Sequence, residues 1–107
     1  MNDAVTAQIM VPTDQIRAFC RKWNIRELAL FGSVLREDFG AHSDIDVLVD
    51  FEPETHHTLF DLVRMADELE TVFGRKVDLL TRSGVAESPN YIRRREILGT
   101  ARVIYAE

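Results

Sequence analysis

Residues 30–51 read LFGSVLREDFGAHSDIDVLVDF, and this stretch decides the fold. The apolar run Leu28–Phe31 stops abruptly at Gly32, which predicts a buried strand that enters a turn. A short helical turn is expected over Val34–Asp38, followed by a loop. Apolar and polar residues then alternate over Asp46–Phe51, which predicts a second strand with one buried face.

The remaining elements follow from helical and strand periodicity. An apolar stripe containing Cys20 predicts a first helix that begins near Thr13, with Thr13 or Asp14 as its N-cap and Cys20 in the core. Further along we predict a helix from Leu59 to Phe73 closed by Gly74, a strand at Val77–Leu80, a polar loop through Pro89, a helix at Tyr91–Leu98, and a short strand or extended tail at Arg102–Tyr105. Alternating strands and helices indicate an α/β or α+β layer in a single domain, residues 1–107, in which residues 1–11 are expected to be loosely ordered.

Composition and charge exclude several classes of protein. The chain is 46% hydrophobic and 29% charged with a formal net charge of −5, as in an ordinary globular domain. The segment Glu37–Glu70 holds eleven acidic residues and one basic residue, so it either attracts cations or forms a solvated acidic face. The surface is not uniformly basic, and no direct nucleic-acid binding is expected. No apolar run approaches the roughly 20 residues of a membrane span, and we expect a soluble, cytoplasmic protein with no membrane partner.

Two sequence features in residues 30–51 favour phosphate chemistry. Gly32 permits close approach of a phosphate to the backbone, and the Ser33 hydroxyl with the following N–H groups can donate to its oxygens. Asp44 and Asp46 stand at i and i+2, so on a strand both carboxylates point to one face. Such a pair is costly without a cation, and oxygen-only ligands favour magnesium or manganese.

Asp78 provides a third carboxylate, on the predicted strand Val77–Leu80 beside the Asp44–Asp46 pair. Three acids around one or two Mg²⁺ ions, next to a phosphate-binding turn, are the machinery of phosphoryl or nucleotidyl transfer. The structural alternative is a glycine turn with Asp44 and Asp46 as solvated acids, and Asp78 as an edge residue.

The pattern Gly32-Ser33-x10-Asp44-x-Asp46 resembles the signature of the DNA polymerase β-type nucleotidyltransferase superfamily, in particular its minimal nucleotidyltransferase branch of MntA-like antitoxins. The resemblance implies a polymerase β-like fold, a small mixed sheet flanked by helices. It further implies that Asp44, Asp46 and Asp78 are catalytic residues and bind Mg²⁺. Gly32, Ser33 and Arg36 are implied to bind the nucleotide, although Glu37 stands where the family usually has glycine.

The resemblance also implies a function. We expect a Mg²⁺-dependent nucleotidyltransferase that moves AMP from ATP to a hydroxyl, with a tyrosine of a small helical HEPN-type toxin as the acceptor and this chain as the antitoxin. One alternative is a non-catalytic antitoxin that neutralises its partner by occlusion. Another is a small-molecule nucleotidyltransferase, but such enzymes carry an additional helical domain for which 107 residues leave no space.

Other polar residues are interpreted as structural or surface groups. His56 and His57 are adjacent in a predicted loop, a poor spacing for metal ligands, and both are expected on the surface. His42 is nearer the site but is expected to be solvated. Arg93-Arg94-Arg95 either docks a substrate or partner or forms a solvated helix face. Tyr91 and Tyr105 are expected to be packing residues, although either could itself accept a nucleotide.

Overall fold

The structure is a computed structural model that describes residues 11–32, 40 and 43–107. In chain order these form α1 (Thr13–Lys22), β1 (Ile25–Phe31), β2 (Ile45–Phe51), α2 (Leu59–Phe73), β3 (Val77–Thr81), α3 (Arg82–Ala86), α4 (Tyr91–Thr100) and β4 (Arg102–Ala106). The predicted helical turn over Val34–Asp38 lies outside the described residues, as do Ser33, Arg36, Glu37 and His42.

The four strands form one mixed sheet in the order β3-β2-β1-β4. β1 is antiparallel to both β2 and β4, whereas β2 and β3 are parallel. A parallel pair requires a crossover connection, and α2 supplies it by returning the chain from the end of β2 to the start of β3. The expected mixed sheet flanked by helices is confirmed, and the residues Arg102–Ala106 form a strand rather than a tail.

Each face of the sheet carries its own apolar cluster. On one face, the inward side chains of β2 (Ile45, Val47 and Val49) pack with buried residues of α1 and α2, among them Cys20 and Leu69. On the opposite face, a smaller cluster joins Ala29, Phe31 and Leu48 to Val85 of α3 and Ile97 of α4. The alternation read from Asp46–Phe51 therefore separates two buried layers, because Leu48 points away from Val47 and Val49.

Cys20 is fully buried, as predicted. Burial raises the pKa of its thiol to about 12, with a smaller contribution from the negative charge of Glu107. A thiol held protonated in a core is a weak nucleophile, so Cys20 is a packing residue. Among the described residues, no helix is long and apolar enough to cross a membrane.

Helices differ from expectation at three places. α4 continues to Thr100, two residues beyond the predicted end at Leu98. Pro12, not Thr13 or Asp14, occupies the N-cap of α1, and no side chain caps that end. The predicted polar loop after β3 contains the short helix α3, because the Thr81 side chain accepts a hydrogen bond from the Gly84 N–H, 3.1 Å away. A side-chain cap can therefore start a helix where apolar periodicity does not predict one.

The prediction that His57 lies on the surface is wrong. Its imidazole packs against the rings of Trp23 and Phe51, with centroids 5.7 and 4.6 Å away, and its side chain is only 12% exposed. Nε2 lies 2.8 Å from the Trp23 carbonyl oxygen and Nδ1 lies 3.4 Å from Asp61 Oδ2. His57 thus joins the end of α1 to the start of α2, whereas His56 is exposed as expected.

Candidate active site

Asp46 and Asp78 are register partners on the parallel strands β2 and β3. Two residues further along, the partners Leu48 and Leu80 both contact the smaller apolar cluster, so all four side chains project from the same face of the sheet. Neighbouring strands lie about 4.8 Å apart, which brings the two carboxylates together at one end of that face. The structure therefore places Asp78 beside Asp46, as the sequence predicts.

The backbone of Gly32 lies against the Asp46 side chain. Gly32 follows directly on β1, whose last residue Phe31 is the register partner of Asp46. Its φ angle is +70°, and a Cβ added there would overlap Asp46 Oδ2 and lie 3.1 Å from Asp46 Cγ. The Asp46 carboxylate thus occupies the space that a side chain at residue 32 would take, so the end of β1 is in direct contact with the carboxylate pair.

Asp44 stands in a different position. It is exposed and precedes β2, which begins at Ile45, so strand alternation does not fix the direction of its side chain as it does for Asp46. Within residues 11–32, 40 and 43–107, no group of three or more metal-ligating side chains is close enough to hold an ion. The structure brings Asp46 and Asp78 together but does not add Asp44 to them.

The Asp46–Asp78 pair nevertheless suits Mg²⁺. Carboxylate oxygens are hard ligands, and Mg²⁺ is commonly bound by one or two carboxylates together with substrate phosphates and water, without a complete cage of protein ligands. The Asp78 side chain is exposed, so the carboxylate pair is accessible from solvent to such phosphate oxygens. The donor set and its surroundings therefore fit a magnesium–nucleotide complex.

Arg75 is a residue of the site region that the sequence reasoning missed. Its Nη1 donates to the carbonyl oxygens of Gly40 and Ser43, at 2.7 and 3.2 Å. The next residue, Lys76, accepts a hydrogen bond from the Ile45 N–H through its carbonyl oxygen at 2.9 Å. The segment before β3 thus holds the residues on either side of Asp44. No local sequence pattern predicts this contact, because Arg75 is separated from Ser43 by 32 positions.

The other candidates lie apart from the carboxylate pair or outside the described residues. Ser33 and Arg36, predicted to bind the nucleotide, are among the residues that the structure does not describe. Tyr105 packs against the larger core, as expected for a packing residue. Tyr91 does not, because it is 58% exposed with the Arg94 guanidinium 5.5 Å from its ring centroid.

Comparison with known proteins places these features in a family. The sequence profile described as "Nucleotidyltransferase domain" matches residues 13–100. The protein adenylyltransferase MntA of Thermococcus cleftensis is 34% identical over 64 residues, covering 60% of this chain and 63% of that protein. The chain thus matches less than two thirds of the length of this relative.

Solved structures agree with the fold. A protein provisionally identified as a minimal nucleotidyltransferase superposes with a TM-score of 0.66 at 29% identity, covering 94% of each chain. The complex of a tri-AMPylated Shewanella oneidensis HEPN toxin with its MNT antitoxin contains a chain that superposes with a TM-score of 0.60. That match has 18% identity and covers 89% of this chain and 70% of the other. At 18% identity, the superposition with the antitoxin chain shows a shared fold.

Proposed function

The chain belongs to the nucleotidyltransferase domain family, and from this we propose that it transfers AMP from ATP to a hydroxyl group of a partner protein. The observation that carries the proposal is the Asp46–Asp78 register pair in contact with Gly32, the glycine at the end of β1. Two carboxylates next to a strand-to-turn glycine can hold a metal-bound triphosphate at the end of the sheet. The relative named protein adenylyltransferase MntA supports AMP as the transferred group.

Each site residue has a role in this proposal. Asp44 and Asp46 would hold Mg²⁺, with two ions as the expected number, and Asp78 would be a third ligand whose main role is that of general base. When bound, Mg²⁺ offsets the charge of the triphosphate and of the departing pyrophosphate. Gly32, Ser33 and Arg36 contact the phosphates, and Arg75 positions the segment that carries Asp44 through the Gly40 and Ser43 carbonyls.

The transfer step is an in-line displacement at the α-phosphorus. The acceptor oxygen forms a bond to that phosphorus, the bond from the α-phosphorus to the oxygen bridging to the β-phosphate breaks, and pyrophosphate leaves. Asp78 takes the proton of the acceptor hydroxyl as general base. Asp78 lies beside Asp46 on β3, and within the described residues no strand pairs with the other side of β3, which leaves that side for an acceptor.

We propose a tyrosine of a small helical HEPN-type toxin as the acceptor, which makes this chain an antitoxin that acts by AMPylation. The complex of an AMPylated HEPN toxin with an antitoxin of the same fold supports this choice. AMP on a tyrosine near an RNA-cleaving site would add bulk and negative charge where the RNA phosphates bind. Inactivation would then outlast dissociation of the two proteins.

Mass spectrometry of a co-expressed HEPN-type partner tests the proposal. With the wild-type chain, the partner should gain one or more AMP units on tyrosine, and with Asp46→Asn it should gain none. Asp50→Asn, four residues further along β2, is the matched control and should leave the modification intact. An unmodified partner that is still inhibited would contradict transfer and support neutralisation by occlusion.

A further inference from the structure

A groove runs along the outer edge of β3, directly after Asp78. It encloses about 360 Å³, and its apolar wall includes Leu62 of α2, Leu79 and Leu80 of β3, Val85 of α3 and Ile97 of α4. We call it the β3 groove. Leu59, one helical turn before Leu62 on the same side of α2, is 77% exposed.

The strand in this groove has an unpaired edge. β3 pairs with β2 on one side, and no strand of the described residues pairs with its other side. An edge strand presents a row of N–H and C=O groups that can accept a further strand. Apolar pockets on either side of such an edge provide sites for alternate side chains of an added strand.

The charge of the groove is positive. Arg93 and Arg94 line it, and no acidic side chain of the described residues does. The Arg94 guanidinium already has a partner within the chain, because its Nη1 donates a hydrogen bond to the Ser88 carbonyl oxygen at 2.7 Å. The Arg93 side chain is exposed, and no other residue in the described part of the chain pairs with it. An occupant with an acidic residue at this position would complement the charge.

We propose that the β3 groove binds an extended, acidic segment of the acceptor protein, which adds as a strand to β3 and brings the acceptor hydroxyl to Asp78. The inference rests on the proposed function and names the surface that presents the acceptor. Asp78 and Leu80 project from the same face and stand two residues, or about 7 Å, apart along the strand. The acceptor residue therefore lies two positions from an apolar side chain that fills the groove, with an acidic residue near Arg93.

Synthetic peptides provide the probes. One peptide of about ten residues, the length of a long strand, has a central tyrosine, leucine two positions to each side and glutamate elsewhere. A second replaces glutamate by lysine, a third replaces leucine by serine, and a fourth carries N-methyl groups on alternate amides. Binding is measured by fluorescence anisotropy without ATP, and AMP transfer by mass spectrometry with ATP and Mg²⁺.

The first peptide should bind most tightly, and each of the other three should bind roughly tenfold more weakly or worse. Arg93→Glu should reverse the preference between the glutamate and lysine peptides. Arg95→Glu, an exposed arginine of the same helix that does not line the groove, is the matched control and should not change it. Affinity for Mg²⁺–ATP should be the same in both variants.

Each contrary outcome has a distinct meaning. Equal effects of Arg93→Glu and Arg95→Glu, or tight binding of the N-methylated peptide, would overturn the strand-addition proposal while leaving AMP transfer untouched. Loss of Mg²⁺–ATP affinity in Arg93→Glu would make the groove part of the nucleotide site and would also overturn it. Binding of the first peptide without any AMP transfer to peptide or protein partner would instead contradict the proposed function and leave the groove as a docking site.

Discussion

Gly32 and Asp46 are in such close contact that no side chain fits between them. A Cβ on Gly32 would overlap the Asp46 carboxylate, and the φ angle of +70° at Gly32 is one that residues with a side chain rarely adopt. The two constraints are independent, since one is steric and the other is conformational. The turn after β1 and the carboxylate on β2 therefore form one unit, and a change at Gly32 acts on Asp46 directly.

Gly32→Ala should lower stability and disable transfer together. The positive φ angle costs about 1–3 kcal/mol for a residue with a side chain, and the added methyl must displace the Asp46 carboxylate. Gly74→Ala is the matched control, because Gly74 has φ of +69° but no atom within 4 Å of an added Cβ. We expect similar conformational costs in thermal unfolding of both variants, and loss of AMP transfer only in Gly32→Ala. Equal transfer by the two variants would contradict a role for this contact.

Asp78→Asn should separate proton transfer from metal binding. As general base, Asp78 acts on the acceptor hydroxyl, so its loss should lower kcat by roughly a hundredfold while leaving the KM for Mg²⁺–ATP within a few fold. Asp46→Asn, one strand away, should lower kcat to a comparable extent and raise the requirement for Mg²⁺ as well. If Asp78→Asn raises the Mg²⁺ requirement to the same degree, Asp78 is chiefly a metal ligand, and unchanged turnover would remove it from the site.

The main elements of the fold could be predicted because their signals are local. Alternation over Asp46–Phe51 and the apolar stripe closed by Gly74 specify a strand and a helix without knowledge of the rest of the chain. The location of His57 could not be predicted, since it depends on contacts with Trp23, 34 positions earlier. The order of the strands also depends on long-range pairing, which no short window of sequence contains.

The same distinction between local signals and long-range contacts applies to the site residues. Asp46 and Asp78 were recognisable because each is an acid on a predicted strand, and a helical crossover between two strands favours parallel neighbours. Arg75 was not recognisable, because its role is defined by the Gly40 and Ser43 carbonyls, and carbonyl oxygens are common to every residue. Because a backbone carbonyl is present whatever the residue type, the sequence does not indicate which carbonyls accept these hydrogen bonds.

Arg75→Ala should loosen the segment before β2 and raise the Mg²⁺ concentration needed for half-maximal transfer by roughly tenfold. Two hydrogen bonds from a guanidinium to backbone carbonyls are lost, and Asp44, next to Ser43, loses its support. Arg75→Lys should raise the Mg²⁺ requirement less than Arg75→Ala does, since an ammonium group keeps the charge but cannot reproduce the planar fork of the guanidinium. Lys76→Ala is the control, because Lys76 contributes its backbone carbonyl to Ile45. The same Mg²⁺ requirement in Arg75→Ala and Lys76→Ala would contradict the positioning role.

Stability at acidic pH should depend on Glu68, which accepts hydrogen bonds from Lys22 and, at 2.7 Å, from Trp23 Nε1. Burial alone would raise the pKa of Glu68, but the bonds from Lys22 and Trp23 outweigh it and lower the pKa below its ordinary value of 4.5. The unfolded chain then binds the proton more tightly, so this contribution is fully present above about pH 4.5 and is lost as the pH falls through the folded-state pKa. Thermal unfolding followed by Trp23 fluorescence should show a Tm difference between wild type and Glu68→Gln that is largest near pH 7 and shrinks towards about pH 3. Asp67→Asn, an exposed neighbour on α2, should show a smaller difference, and a Glu68→Gln effect independent of pH would contradict the ionic origin of the contact.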